Sequence, residues 1–265
     1  MPDTVLYAVT EGVATVTLNR PDRLNAIGDD MLDRLLESVE RAASDESIRV
    51  VIPTRAGRGF CPGADLASLS QPGGSGEPVP LQTRVGSSRR WMRISELLWG
   101  MPKVTIAAVN GACAGAGLSW ALACDLRFAA RSAVFRTAFI GVGVSGDYGV
   151  NWSLPRIVGW GKARELLYLN EKVSPDEALR LGMVARVVDD GELLTEVRAV
   201  AATLAVAPRA GVLGIKQNLI DAESMSLAEE LNGESLRLSL SLGTDASRAA
   251  ARAFLAGGRE APGGG

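Results

Sequence analysis

The chain has 265 residues, with 28 Lys and Arg against 30 Asp and Glu, and it contains no histidine. Without histidine there is no Ser-His-Asp or Cys-His nucleophile and no imidazole metal ligand, so proton transfer must rest on a carboxylate, Lys, Tyr, Cys or water. A net charge of -2 gives no bulk attraction to nucleic acid or anionic lipid, and 47% hydrophobic residues over this length suffice for a full core.

The chain opens on two predicted strands. Val5 to Val9 is the first. Val13 to Leu18 is the second, with Ala14, Val16 and Leu18 alternating against Val13, Thr15 and Thr17. Glu11-Gly12 between them suits a tight hairpin. The polar loop from Asn19 to Ala26 leads to a helix with Met31, Leu32, Leu35, Leu36, Val39 and Ala43 on one stripe and Asp29 as its N-cap. A strand follows at Ile48 to Ile52, then a glycine-rich loop from Ala56 to Asp65. Residues 70 to 90, rich in Gly, Ser and Pro, read as a mobile surface segment before a helix from about Arg89 to Trp99.

Val104 to Val109 is a buried strand running into Asn110-Gly111, and Ala114-Gly115-Ala116-Gly117 opens a helix through Cys124. Asp125 to Ala129 is the next strand. The second half turns helical, beginning with Gly161 to Leu169. Ser174-Pro175-Asp176-Glu177 forms a capping box for a helix that stops at Gly182. Met183 to Val188 is a strand. Helices follow at Glu192 to Val206, Pro208 to Ala222, Ser226 to Leu242 and Asp245 to Leu255. Strands alternating with helices, then helices alone, indicate a parallel α/β core with a helical C-terminal region. The boundary is expected near residue 200, with a disordered tail at 261–265.

Cys61, Cys113 and Cys124 form no C-x-x-C pair and read as buried free thiols of a reducing compartment. The N-terminus lacks the pattern of a signal peptide, and no uncharged apolar stretch approaches the ~18 residues of a membrane span. A cytoplasmic protein is expected, with neither nucleic acid nor membrane as a partner.

Two loops share one design. Gly63-Ala64-Asp65 and Gly115-Ala116-Gly117 each follow an apolar strand and lead toward a helix. Small residues admit a ligand close to the backbone, and helix N-termini offer free N–H groups. Two such loops converging could hold one oxygen between two donors. Glycine-rich turns also serve backbone geometry alone, and spacing does not separate the two uses.

Five blocks, in order, carry a resemblance: Asn19-Arg20-Pro21 with Asn25-Ala26; Phe60 to Leu66; Ile106 to Gly111; Ala114 to Gly117 with Cys124-Asp125; and Leu154 to Gly159 with Ala178 to Val188. They resemble the enoyl-CoA hydratase/isomerase (crotonase) superfamily, over residues from about 5 to 255. The resemblance implies a spiral of ββα turns with a helical trimerisation region, a homotrimer or dimer of trimers, and an acyl-CoA thioester as substrate. It implies no separate cofactor, because coenzyme A is part of the substrate, and no metal. Backbone N–H groups of Ala64 and Ala116 would form an oxyanion hole. Arg23, Leu24, Ala26, Gly63, Asp65 and Leu66 would contact substrate or CoA, as would Gly115, Ser119, Phe139 and Lys216.

The sequence departs from the hydratase pattern. Hydratases of this family carry two glutamates, at positions that match Ser119 and Phe139 here. Adding water needs a base and an acid, and neither residue serves unaided. Asp147, between Gly146 and Tyr148-Gly149, falls where the family's dienoyl-CoA isomerases and ring-opening epoxyphenylacetyl-CoA isomerases carry a catalytic aspartate, and the chain most resembles the latter group. Asp147 could equally be the N-cap of a helix starting near Tyr148. The resulting expectation is enoyl-CoA isomerisation through an enolate. Hydration by other residues, and acyl-CoA binding without efficient catalysis, stand as alternatives. Asp65 and Asp125 read as structural, and Trp120 and Trp152 as core or acyl-pocket lining, with core favoured.

Overall fold

The computed structural model describes residues 3–65 and 80–257. Leu66, residues 70–79 and the tail at 261–265 lie outside them. Contacts divide the chain into two units, Met1–Ala202 and Thr203–Gly265.

In the first unit, β1 (Val5–Thr10) and β2 (Val13–Leu18) form the expected hairpin, with Glu11 and Gly12 both at positive φ. That pair of conformations matches the strand twist. Ala14, Val16 and Leu18 are the buried face of β2. Helix α1 (Asp29–Ser44) lays its apolar stripe into the core. Its N-cap is Gly28 and no side chain caps it, so Asp29 is the first helical residue instead of the cap.

The third strand runs later than its hydrophobic run suggested. Ile48 is held in a turn by its N–H to Asp45 O, and Lys103 Nζ donates to the carbonyls of Asp45 and Ile48. Pairing therefore starts at Val50, and β3 is Val50–Arg55. It lies parallel to β2 and to β4 (Val104–Val109). The ladder to β4 reaches only Val51–Thr105 and stops before Pro53, which has no N–H to give.

Helix α2 (Leu81–Gly100) begins well before Arg89. Its first turns are exposed on all sides, so they carry no apolar stripe by which to be recognised. β5 (Ala112–Ala114) and β7 (Val134–Arg136) are strands the period-two pattern missed, since three residues are too short to show it. Between them lie α3 (Ala116–Ala123), buried in every residue, and β6 (Leu126–Ala130).

Helices α4 (Val150–Val158), α5 (Trp160–Leu169) and α6 (Pro175–Arg180) precede β8 (Arg186–Val188), which is shorter than the Met183 to Val188 run. Only half of the capping box at Ser174 exists. Its hydroxyl accepts from the Glu177 N–H, but the Glu177 carboxylate turns to Arg180. Trp120 is core, whereas Trp152 is half-exposed, edge-on to Trp99 at 5.2 Å with Arg156 over its face at 4.0 Å.

Among the described residues, the main sheet has the order β1-β2-β3-β4-β6-β8, parallel beyond the first hairpin. A small second layer pairs Cys61 with Cys113 of β5, β5 with β7, and Phe135 of β7 with Val173. Each turn of chain thus places one strand in the large sheet, one in the small layer, then a helix. β4, β5 and α3 form one complete ββα turn. The loops between the layers present the candidate site.

Helix α7 (Leu193–Val206) spans the unit boundary. The second unit continues with α8 (Arg209–Ala222), α9 (Leu227–Leu242) and α10 (Asp245–Gly257). Ser226 and Glu229 form a complete capping box at the start of α9. Among the described residues no single helix is long and apolar enough to cross a membrane.

Candidate active site

The two glycine-rich loops meet. Cys61 N–H donates to Ala112 O and Ala114 N–H donates to Cys61 O, both at 2.9 Å, which locks the first loop against β5. A Cβ placed on Gly63 would lie 3.5 Å from Ala114 O and 3.8 Å from the Ala116 nitrogen. Gly115 adopts φ +53, ψ -127, a conformation that a side chain disfavours, and its own Cβ position is 3.6 Å from the Gly63 Cα.

Within that contact two N–H groups remain without an acceptor among the described residues. Ile27 brackets Ala64, donating to Gly63 O at 2.9 Å and accepting from Asp65 N–H at 3.2 Å. This leaves the Ala64 N–H itself unused. Ala116 is the first residue of α3, so its N–H has no intrahelical partner.

The carboxylate nearby is Asp147. It is not a helix cap: α4 begins at Val150 with Gly149 as its N-cap, and only the Asp147 carbonyl takes part, accepting from Val150 N–H at 3.1 Å. The positive φ of Tyr148 and Gly149 moves the helix start beyond reach of the Asp147 side chain. Among the described residues, Oδ1 of Asp147 is buried without a hydrogen-bond partner. Burial pushes this carboxyl up to about 6, and a hydrogen bond from the Ser119 hydroxyl works in the opposite direction.

The groups around Asp147 stay neutral. Burial, above all, drives the Cys61 thiol up to about 12, with Asp147 adding to the rise and backbone N–H groups of Gly63 and Gly117 opposing it. The Tyr148 phenol is raised first by burial and then by Asp147. Trp120 meets the Tyr148 ring edge-on at 5.2 Å, and its indole N–H is buried without a partner among the described residues.

The other expected residues fall in several places. Ser119 and Phe139 are buried, and the Phe139 ring comes within 3.9 Å of the Cβ position on Gly115. Ala26 is buried. Leu24 is exposed, as is Arg23, the last residue of a 3-10 turn (Pro21–Arg23). Asp65 pairs with Arg20 at 3.7 Å. Leu66 lies outside the described residues. Lys216 is a buried residue of α8, in the second unit. Asp125 is structural, accepting from the Thr105 N–H and hydroxyl at 2.8 and 3.0 Å. Among the described residues no group of three or more His, Cys, Asp or Glu could hold a metal.

Two residues matter more than their sequence context suggested. Asn25, fully buried at φ +63, donates to Ala56 O and Gly59 O at 2.9 and 2.7 Å and accepts from Arg20 N–H at 2.7 Å. It ties the Asn19-Ala26 loop to the approach of the first glycine-rich loop. Its signal was an Asn in a polar loop, since Asn tolerates the left-handed region. The indole N–H of Trp120 carried no sequence signal at all.

Two fixed N–H donors on touching loops can stabilise negative charge on one oxygen. A carboxyl with pKa near neutrality can take up and release a proton at physiological pH. Similarity to known proteins points the same way. The family model for enoyl-CoA hydratase/isomerase matches residues 8–258. The chain is 39% identical over 235 residues to the 1,2-epoxyphenylacetyl-CoA isomerase of Escherichia coli (strain K12), covering 88% of each chain. It is 36% identical over 253 residues to a Rhodobacter capsulatus protein named "Probable enoyl-CoA hydratase", covering 95% of each. Among solved structures, the enoyl-CoA hydratase of Mycobacterium smegmatis superposes with a TM-score of 0.83 at 30% identity, over 95% of this chain and 96% of that one. The enoyl-CoA hydratase from Bacillus anthracis superposes with a TM-score of 0.86 at 26% identity, over 95% of each. On this agreement of fold and sequence, the chain is an enzyme of the enoyl-CoA hydratase/isomerase (crotonase) family.

Proposed function

We propose that this enzyme isomerises an acyl-CoA thioester by moving a double bond, with Asp147 as the single proton carrier. The observation that carries this reading is the buried, unpartnered Oδ1 of Asp147. Ser119 and Phe139 occupy the places that the resemblance gives to the two hydratase glutamates, and neither can activate water unaided. In the proposed reaction the thioester oxygen lies between the N–H groups of Ala64 and Ala116. Asp147 removes a proton from one end of the C2–C4 unit, the charge collects on that oxygen as a dienolate, and the same proton returns at the other end. One carboxylate and two N–H donors suffice, with no further cofactor. Losing one such donor costs about 3–4 kcal/mol of transition-state stabilisation.

Arg23, exposed at the end of its 3-10 turn, would offer its guanidinium to CoA phosphates. The three buried cysteines, none in a disulfide, support a reducing, cytoplasmic setting. A homotrimer is supported by the apolar stripe of α9, where Leu227, Leu231, Leu238 and Leu242 are exposed at helical spacing.

The test is direct. The protein is incubated with a 3-enoyl-CoA and, separately, with a 2-enoyl-CoA, and absorbance of the conjugated thioester is followed. Conjugation of the first, with loss in Asp147→Asn, is the expected result. Full turnover by Asp147→Asn, or hydration of the 2-enoyl-CoA alone, overturns the proposal. Binding of either ester with neither turnover nor deuterium exchange at C2 in D₂O indicates a binder. A second reading, isomerisation of a ring epoxide, is favoured by the similarity to the E. coli epoxyphenylacetyl-CoA isomerase. It uses the same groups and is tested with that class of substrate.

A further inference from the structure

We propose that Asn170 is a positioning residue that holds the Phe139 ring against the second glycine-rich loop, and that Phe139, so held, keeps water from the reacting carbons of the acyl thioester. What the shielding serves rests on the isomerase reading above; the clasp and the shielding themselves do not.

The clasp lies at the end of α5, where a helix leaves carbonyls without partners of its own. Three consecutive residues at the end of β7 bind there. Arg136 Nε donates to Asn170 O at 2.8 Å, Thr137 Oγ1 to Leu166 O at 2.8 Å, and the Ala138 N–H to Asn170 Oδ1 at 2.7 Å. The last of these uses the Asn170 side chain. Asn170 is buried at φ +56, ψ +35 as the left-handed cap of α5, with its own N–H on Leu166 O at 3.1 Å. Glycine commonly fills such a cap, but it has no oxygen to offer Ala138. Asparagine tolerates the conformation and supplies the acceptor.

Ala138 needs the restraint. It stands at φ +65, which alanine disfavours because its Cβ crowds the following carbonyl. Freed from Asn170, the chain relieves that strain by leaving the left-handed region, and Phe139 turns with it. Phe139 is 5% exposed, and its ring comes within 3.9 Å of the Cβ position on Gly115, the residue whose peptide carries the Ala116 N–H. The Phe139 carbonyl accepts from the N–H groups of Val142 and Val144, both at 3.1 Å, which starts the loop that leads to Asp147. One side-chain oxygen thus fixes a wall beside an oxyanion donor and the near end of the loop that carries the proposed base.

An apolar wall suits the proposed reaction. A C–H bond at one end of the C2–C4 unit breaks, the proton rests on Asp147, and a C–H bond forms at the other end. No water is consumed. Water beside Asp147 would exchange that proton for one of its own, a leak that a closed site prevents. A phenyl ring has no hydrogen-bonding group with which to hold water there.

The test labels the full-length protein with 4-fluorophenylalanine. The five phenylalanines give separate fluorine resonances, and Phe139→Leu identifies that of Phe139. In the wild type this resonance should keep the same shift in H₂O and D₂O, as for a ring out of contact with solvent. Asn170→Gly keeps the cap and removes the acceptor, so it should move the resonance and give it a solvent isotope shift. Asn170→Asp, which keeps the acceptor, should restore the wild-type spectrum. A Phe139 resonance unchanged in Asn170→Gly overturns the proposal. So does a full solvent isotope shift in the wild type, which decides even if the glycine variant fails to fold. Turnover of a 3-enoyl-CoA in D₂O gives a second readout. The fraction of product carrying solvent deuterium should rise in Asn170→Gly and in Phe139→Ala and return to the wild-type value in Asn170→Asp. An equal fraction in the wild type and every variant overturns the shielding. Failure of the isomerase reading looks different: no double bond moves in the wild type, while the fluorine spectra change as expected and uphold the clasp.

Discussion

Gly117 lies so close to Cys61 that a Cβ on Gly117 would stand 2.3 Å from the Cys61 carbonyl oxygen and 2.6 Å from its Cβ. No side chain fits there, and the contact sets how closely α3 and the first glycine-rich loop approach. Gly117→Ala must push the two loops apart. The expected cost is about 1–3 kcal/mol of stability from overpacking. Displacing the Ala64 and Ala116 N–H groups by about 1 Å should lower kcat roughly a hundredfold. Thermal melting and steady-state kinetics on the same preparation check both.

In the proposed mechanism Asp147 makes opposite demands on stability and activity. Its carboxyl is raised from 3.8 to about 6 by burial, so the folded state favours the protonated form. The stability that this form contributes is present in full below the unfolded value of 3.8 and is lost as pH rises through about 6. Asp147→Asn should therefore match the wild type near pH 4 and exceed it by about 3 kcal/mol near pH 8, as read by urea unfolding at the two pH values.

In the proposed mechanism the same titration governs catalysis with the reverse sign. A base works only when ionised, so kcat/KM should drop about tenfold per pH unit below about 6. A pH–rate profile on a 3-enoyl-CoA measures it. A profile flat down to about pH 4.5 would remove Asp147 as the base.

Asn25 holds three hydrogen bonds in a fully buried place at positive φ. Asn25→Ala deletes all three partners and adds backbone strain, for an expected loss of about 2–4 kcal/mol. Since Ile27 pairs with Ala64 on the same stretch, KM should rise as well. Denaturant midpoints and kinetics check the two effects. Asn25→Asp, which turns both donors into an acceptor facing the Ala56 and Gly59 carbonyls, should cost at least as much as Asn25→Ala.

The stripe on α9 gives a prediction about assembly. Leu227 is 74% exposed and Leu231 51%, with Leu238 and Leu242 at 57% and 61%. Leu231→Glu with Leu238→Glu should shift the mass in light scattering toward the monomer if this face joins subunits. An unchanged mass would exclude it.

Sequence alone settled what short-range physics controls. The hairpin turn at Glu11-Gly12, the alternation in β2, the apolar stripe of α1 and the small residues of the two loops follow from backbone freedom and hydrophobic period. The pairing of Cys61 with Cys113 and the strands β5 and β7 did not, because three-residue strands have no period and exist only through their partners. The missing histidine narrowed the chemistry at the outset and left Asp147 with two possible roles. The tertiary structure removed one of them, the helix cap. Positive φ at Tyr148 and Gly149 delays the helix by two residues. Burial, which depends on elements far apart in sequence, then moves the Asp147 pKa into the range where a proton can be exchanged.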